Sequence, residues 1–284
     1  MAALTIAKLT VWEASRRRLL LALLLLTLVI IGLTGWGFTK LGEAGNGQRL
    51  PDYQIRLIAS QLLIVIVFMF AGVLALSSVV LASPTISSDV ESGVLLALLA
   101  RPVRRLDVVL GKWLGLAVLV VIYAAGAAIL ELLVLWWATG YLPPRPVELI
   151  VYVAGEGIIL MTLALALSTR LAGMTGGIIA LVGYFMAWIG GIVGGVGQAI
   201  HNDGLVTGGL IMKLLLPTDA LWRGAVFAME PATVIAALKA TGSAGAGNPF
   251  GATEPPATAF LLWTVLWLVA VFGLTYWGFR RRAL

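Results

Sequence analysis

The chain has no cysteine and a single histidine, His201. The first absence excludes disulfides, thiolate zinc sites and thiol catalysis. The second excludes a multi-histidine metal site within one chain, and His201 reads as a surface-loop residue. Charge is scarce as well: 11% of the 284 residues are Asp, Glu, Lys or Arg, and whole windows of about 20 residues, the length of one span, carry none. Apolar residues fill the space, at 61% of the chain with a mean hydropathy of +1.03, where a soluble domain is roughly half apolar. An all-α polytopic membrane protein follows. A β-barrel is excluded, because it needs alternating segments of about 10 residues. No nucleophile–base pair, paired catalytic acids or metal-ligand spacing stands out, so no catalytic or metal residue is assigned and an intramembrane enzyme lacks its constellation.

Six segments are long enough to cross: Leu19–Phe38, Ile55–Ala82, Val108–Trp137, Val147–Thr169, Leu171–Gly197 and Ala257–Phe279. The second and third exceed the ~20 residues a span needs, so they tilt or project beyond the bilayer. Ser15-Arg16-Arg17-Arg18 before a leucine run is like a twin-arginine signal, but the apolar run is long enough to span and no small-x-small cleavage site ends it, so it is expected to stay as the first helix. The net charge of +6 does not point to nucleic acid, because the basic residues flank apolar spans as orientation signals do. With the N-terminus inside, the inner segments carry a net +8 and the outer segments 0. Both termini are then cytoplasmic, in the inner membrane. Trp12, Trp36, Trp113, Trp136, Trp137 and Trp277 fall near span ends, as interfacial anchors do.

Leu4–Arg18 is expected to form a short helix along the inner interface, with Leu4, Ala7, Val11 and Trp12 on one face and Lys8 intruding on it. Ser168-Thr169-Arg170 makes the fourth and fifth spans a tight hairpin. The fifth holds nine glycines between Gly173 and Gly197. The pairs Gly173/Gly177, Gly190/Gly194 and Gly191/Gly195 allow close backbone approach. That approach could serve a neighbour in the chain or a second copy, or the helix could break near Gly190–Gly197. In the outer segment, Leu205–Leu216 is too short to cross. Thr218 reads as a helix cap with Asp219 in the first turn, Pro231 suits the first turn of another short helix, and Thr241–Pro256 reads as a flexible connector.

The most distinctive stretch is Ser83–Lys112, which concentrates seven charges: Asp89, Glu91, Arg101, Arg104, Arg105, Asp107 and Lys112. Pro84 and Thr85 can open a helix. Ile86, Val90, Val94 and Ala97 recur on one face, with Ser87, Ser88, Glu91 and Ser92 away from it. Arg101-Pro102 ends it, since the residue before proline is pushed out of the α region. Acids in its first half and cations beyond its end suit the helix dipole.

Glu91-Ser92-Gly93, then Leu98-Leu99-Ala100-Arg101-Pro102-Val103-Arg104-Arg105, then Gly111-Lys112, resembles the cytoplasmic signature of ABC-2-type transporter permeases. That signature reads E-x-G-T, a leucine-rich stretch, P-(V/I)-x-R and G-K; Val94 departs from the usual threonine. The resemblance extends over the chain and implies one transmembrane domain, 1–284. Within it, 1–18 is an elbow helix, 83–107 a cytoplasmic coupling loop and 198–256 an extracytoplasmic loop with short helices. It implies that the coupling helix docks on a separate ATP-binding-cassette ATPase subunit, through Ser88, Asp89, Glu91, Ser92, Gly93, Arg101, Arg104 and Arg105. ATP and magnesium would be bound by that partner. Gly111-Lys112 lacks the G-x-x-x-x-G-K-[ST] of a phosphate loop, so the chain is not expected to hydrolyse ATP itself. Six spans make half a pathway, so a second copy or a homologous permease is implied.

Two acids lie within spans, Glu131 in the third and Glu156 in the fourth, both about 10–14 Å below the outer boundary at ~1.5 Å per residue. Such groups are functional candidates. They could pair to bind a cation or carry protons. Alternatively Glu131 snorkels toward Trp136-Trp137, and Glu156 is protonated or hydrogen-bonded within the bundle, with Gly155 and Gly157 leaving room for a neighbour or water. Two further readings stay open at this point. One is a secondary transporter or channel using Glu131 and Glu156, although no internal repeat supports it. The other is a permease that transmits force to an extracytoplasmic partner. The substrate is not legible in the sequence.

Overall fold

The structure, a computed structural model, describes residues 2–16, 18–41, 51–94, 103–240 and 248–281. Every regular element among the described residues is a helix. They are α1 (Ala2–Ser15), α2 (Arg18–Leu41), α3 (Asp52–Ala82), α4 (Ser87–Glu91), α5 (Arg105–Thr139), α6 (Pro146–Ser168), α7 (Gly173–Ala199), α8 (Asp203–Leu215), α9 (Thr218–Met229), α10 (Ala232–Ala240) and α11 (Thr258–Arg280). Six of them, α2, α3, α5, α6, α7 and α11, are long and apolar enough to cross a membrane. They match the six spans read from the sequence to within three residues at each end. α3 and α5 have 31 and 35 residues, about 46 and 52 Å at ~1.5 Å per residue. Both exceed the ~30 Å hydrocarbon core.

Local chemistry sets the helix ends. Gly140 takes the left-handed conformation (φ 67°) after α5 and donates its N–H to Trp136 O, a glycine C-cap. Pro146 opens α6, where its missing N–H costs nothing. Hydroxyls inside the bundle turn back on their own helices, as Ser77 does to Val73 O and Thr162 to Ile158 O. No bare hydroxyl then faces hydrocarbon at those positions.

α3 and α6 are the most enclosed spans, while α2 and α11 lie at the periphery and are the least buried. α6 touches α3, α5, α7, α9 and α11. Gly157 marks the crossing: a Cβ there would stand 2.7 Å from Val120 Cγ1 and 3.1 Å from Leu74 Cγ. Trp113 lies inside the bundle rather than at its edge, packed on Phe272 and donating to Thr162 Oγ1 at 2.9 Å.

The proximal end of the bundle gathers α1, α4, the start of α5, the α6–α7 turn and the end of α11. α1 packs on α5 through the face opposite the one read as lying along the interface. Its buried residues are Ile6, Thr10 and Ala14, while Leu4 and Trp12 are exposed. The reason lies in α5. Gly111 and Gly115 are bare on the side facing α1, and Ala3 O and Ala7 O come within 2.6 and 2.7 Å of where their Cβ atoms would be. Only glycine admits that approach.

At the distal end α7 runs unbroken to Ala199, so no helix break occurs at Gly190–Gly197. Those glycines instead seat α8 within the same chain: Gly190 meets Met212 and Gly209 O, and Gly197 meets Leu205 and Val206 N. Asn202 caps α8 by accepting from Leu205 N at 3.1 Å. α8 and α9 bend by 95° at Leu216-Pro217. α9 then follows α6 back toward the distal end, with Leu221 against Gly155, Gly224 against Tyr152 and Ala228 O accepting from Arg145 N. The carbonyls at the end of α8 are not left bare. Trp263 Nε1 donates to Leu214 O at 3.1 Å and Trp267 Nε1 to Leu215 O at 2.9 Å.

Candidate functional site

The Ser83–Lys112 segment folds differently from one helix ended at Arg101-Pro102. Its first helix, α4, stops after five residues, because Gly93 turns left-handed (φ 72°). The turn rotates the packed face. Ile86 is buried and Val90 packs on the core, but Val94 is 55% exposed. Ser87, read as facing away, is buried. Residues 95–102, including Ala97 and the motif cation Arg101, lie outside the described residues.

The remaining motif residues divide in two. Glu91, Ser92 and Arg104 are exposed and Ser88 and Gly93 half-buried, a polar rim on the proximal end. Asp89 and Arg105 also bond within the chain. Lys112, only 5% exposed, ion-pairs with Asp89 and donates to Thr85 O at 2.7 Å. Arg105 donates to Arg280 O at 2.8 Å and to Phe279 O at 3.3 Å, satisfying the last carbonyls of α11. The short helix is therefore fastened to α5 by a buried lysine, and α5 to α11 by an arginine. Gly111 and Lys112 do not fit a nucleotide: the glycine is covered by α1 and the ammonium is committed to α4.

The two intramembrane acids occupy separate surroundings. Glu131 does not snorkel to Trp136-Trp137. It is 1% exposed, and its Oε2 accepts from Thr34 Oγ1 on α2 at 3.2 Å. Its Oε1 has no partner among the described protein atoms and borders a cavity of about 20 Å³, room for one water molecule. Glu156 is hydrogen-bonded to Tyr184 on α7, and its Oε2 has no partner among the described residues.

Glu156 also belongs to a buried polar cluster that sequence reasoning missed. Asp219 is 3% exposed and interacts electrostatically with Glu156 and with Lys213. Arg223 Nε donates to Asp219 Oδ2 at 3.1 Å, and its Nη2 donates to Gly191 O at 3.1 Å. Gly191 is glycine because the Asp219 carboxylate occupies the place of its side chain. Thr218 does not cap α9. Pro217 holds that position without a side-chain bond, and Thr218 Oγ1 is buried with no partner among the described residues. The signals were present: one lysine in an apolar run, then an acid and an arginine four residues apart, which share a helix face.

At the distal end Glu230, 1% exposed, accepts from Ala252 N at 3.3 Å. Burial pushes its carboxyl up to about 7, against the opposing pull of that N–H. Neighbouring Tyr141 donates to Met229 O at 3.0 Å, and burial together with the Glu230 charge pushes its phenol up to about 12. Trp222 Nε1 donates to Pro249 O at 2.7 Å. These bonds hold residues 249–252, part of the segment read as a flexible connector, against α9. His201 is exposed in the turn between α7 and α8.

The family model described as "ABC-2 family transporter protein" matches residues 4–284. No curated protein matches the chain. The chain belongs to the ABC-2 family of transporter proteins. It is a multi-pass membrane permease, the transmembrane part of an ABC transporter and not itself its ATPase, and the family implies an ATP-binding-cassette partner in general.

Proposed function

We propose that this ABC-2 permease is the membrane subunit of an exporter that receives force from a separate ATPase at its proximal end. That end is then cytoplasmic, and two permease copies, or this chain and a homologue, assemble with two ATPase subunits that hold the ATP and magnesium. The observation that carries the reading is the division of the motif residues. Glu91, Ser92 and Arg104 are exposed on a rim, while Asp89 and Lys112 fix the same short helix to a 35-residue span. A push on the rim is transmitted to α5 without passing through a loose loop. From α5 it reaches α1 through the glycine steps and α11 through Arg105.

The test is co-purification with the cognate ATPase subunit. Glu91→Lys reverses charge at an exposed site and is expected to lower recovery of the complex and to abolish transport-linked ATP hydrolysis, while the permease stays folded. Complex formation and hydrolysis equal to the unaltered protein would sink the proposal.

A further inference from the structure

A groove of about 350 Å³ runs between α2 and α5. Leu20, Leu24 and Leu28 form one wall and Leu119, Ile122 and Leu130 the other. Leu24, Leu28, Ile122 and Leu130 are all more than 40% exposed, so the groove opens sideways to the membrane. From Leu119 to Leu130 it rises about 16 Å at ~1.5 Å per residue, the depth of one leaflet of a ~30 Å core. Its floor is tied by a hydrogen bond between Thr27 and Tyr123. Gly126 faces its open space, since a Cβ there would meet nothing within 4 Å.

Charge distinguishes this groove from two others on the bundle. Its proximal mouth is Ser15, at the turn from α1 to α2. The exposed Arg16 and Arg18 flank that turn, with Arg16 stacked 3.7 Å over the Trp12 ring. Glu13, one turn back, leaves the mouth net positive. The α6/α9/α11 groove, of about 400 Å³, carries Glu148 at its distal mouth instead. The described lining of the α2/α5 groove itself is uncharged; the α3/α7 groove, of about 300 Å³, has no charged residue among its described lining or within three positions of it in the sequence.

We propose that the α2/α5 groove seats one anionic phospholipid. Its phosphate lies against Arg16 and Arg18, and one acyl chain lies along the leucine walls. The chain fills the wedge that α1 and α2 leave against α5, so the lipid braces the elbow on the span. This is a resident ligand of the permease and does not depend on the identity of the exported substrate or on ATPase docking.

The test uses the purified full-length chain with equal amounts of phosphatidylglycerol and phosphatidylcholine, and bound lipid counted by native mass spectrometry. The unaltered chain is expected to retain phosphatidylglycerol in preference. Arg16→Gln and Arg18→Gln are each expected to lower the ratio roughly fivefold and to leave phosphatidylcholine retention unchanged. Gly126→Leu is expected to lower retention of both lipids, and Gly72→Leu, which fills the α3/α7 groove, of neither. Should Gly126→Leu fold poorly, Ile122→Trp narrows the same groove from an exposed position. A ratio of one in the unaltered chain overturns the proposal. So does a ratio unmoved by the arginine variants, or full phosphatidylglycerol retention with the groove filled.

Discussion

At the proximal end Lys112 reaches from α5 to Asp89 and Thr85 O; within the distal half of the bundle Arg223 reaches to Asp219 and Gly191 O. Each cation joins one carboxylate and one backbone carbonyl, and each ties a short helix to a span. The exposure is inverted. Proximally the lysine is sunk and its acid faces out, at 7% and 18% side-chain exposure. Distally the acid is sunk and the arginine is the more open, at 3% and 25%. The proximal lock thus presents its acid at the surface, beside the exposed Glu91. The distal lock hides its acid beside Glu156. One pair leaves its acid partly open to solvent, and the other holds a bent helix pair in place.

The largest expected effect separates the two. Asp219→Ala takes the shared carboxylate from both Arg223 and the desolvated Lys213 and should cost about 3–5 kcal/mol, seen as a lowered unfolding temperature in detergent and lost folded yield. Lys112→Met should cost less, about 1–3 kcal/mol, because Asp89 keeps access to water. Its mark should be local, with faster hydrogen exchange over residues 83–93 and little change in α9. Equal, global losses in the two variants would break the contrast. Gly111→Val forces α1 off its step at about 1–3 kcal/mol, and exchange should rise over α1 first.

The pH response tests the distal end alone. Glu230 titrates near 7 when docked, against 4.5 for the ordinary group, so the docked state holds more protons within that window. Docking of residues 248–256 should weaken as pH rises through it, and Glu230→Gln should flatten the profile, read by hydrogen exchange. The smallest stability change is expected for Glu91→Lys, within about 0.5 kcal/mol, although it is the variant expected to disrupt ATPase coupling.

The six spans were legible because hydrocarbon demands long apolar helices and charge marks their ends. The partners of the small residues were not. Gly190 and Gly194 carry the same pattern whether they meet α8 or a second copy, and only the fold shows α8 there. The early stop of α4 was readable in principle, since Ser92-Gly93 has the composition of a helix end, but those residues also belong to the family motif and were read as that. Glu131 was harder. Its depth followed from counting, whereas its rotation toward Thr34 depends on how α2 packs on α5. The cluster around Asp219 was hidden because residues 203–229 look like surface helices until the 95° bend brings Asp219 against α7.

The indole bonds from Trp263 and Trp267 to the end of α8 constrain how the distal half can travel. In hydrocarbon, parting α11 from α8 would strip two carbonyls with no water to replace the donors, and parting α8 from α7 would undo a backbone-to-backbone seat. The three helices are therefore expected to turn as one plate. Spin labels on α7 and α11 give an internal ruler, whose length should stay fixed through a transport cycle while distances from either helix to α2 change.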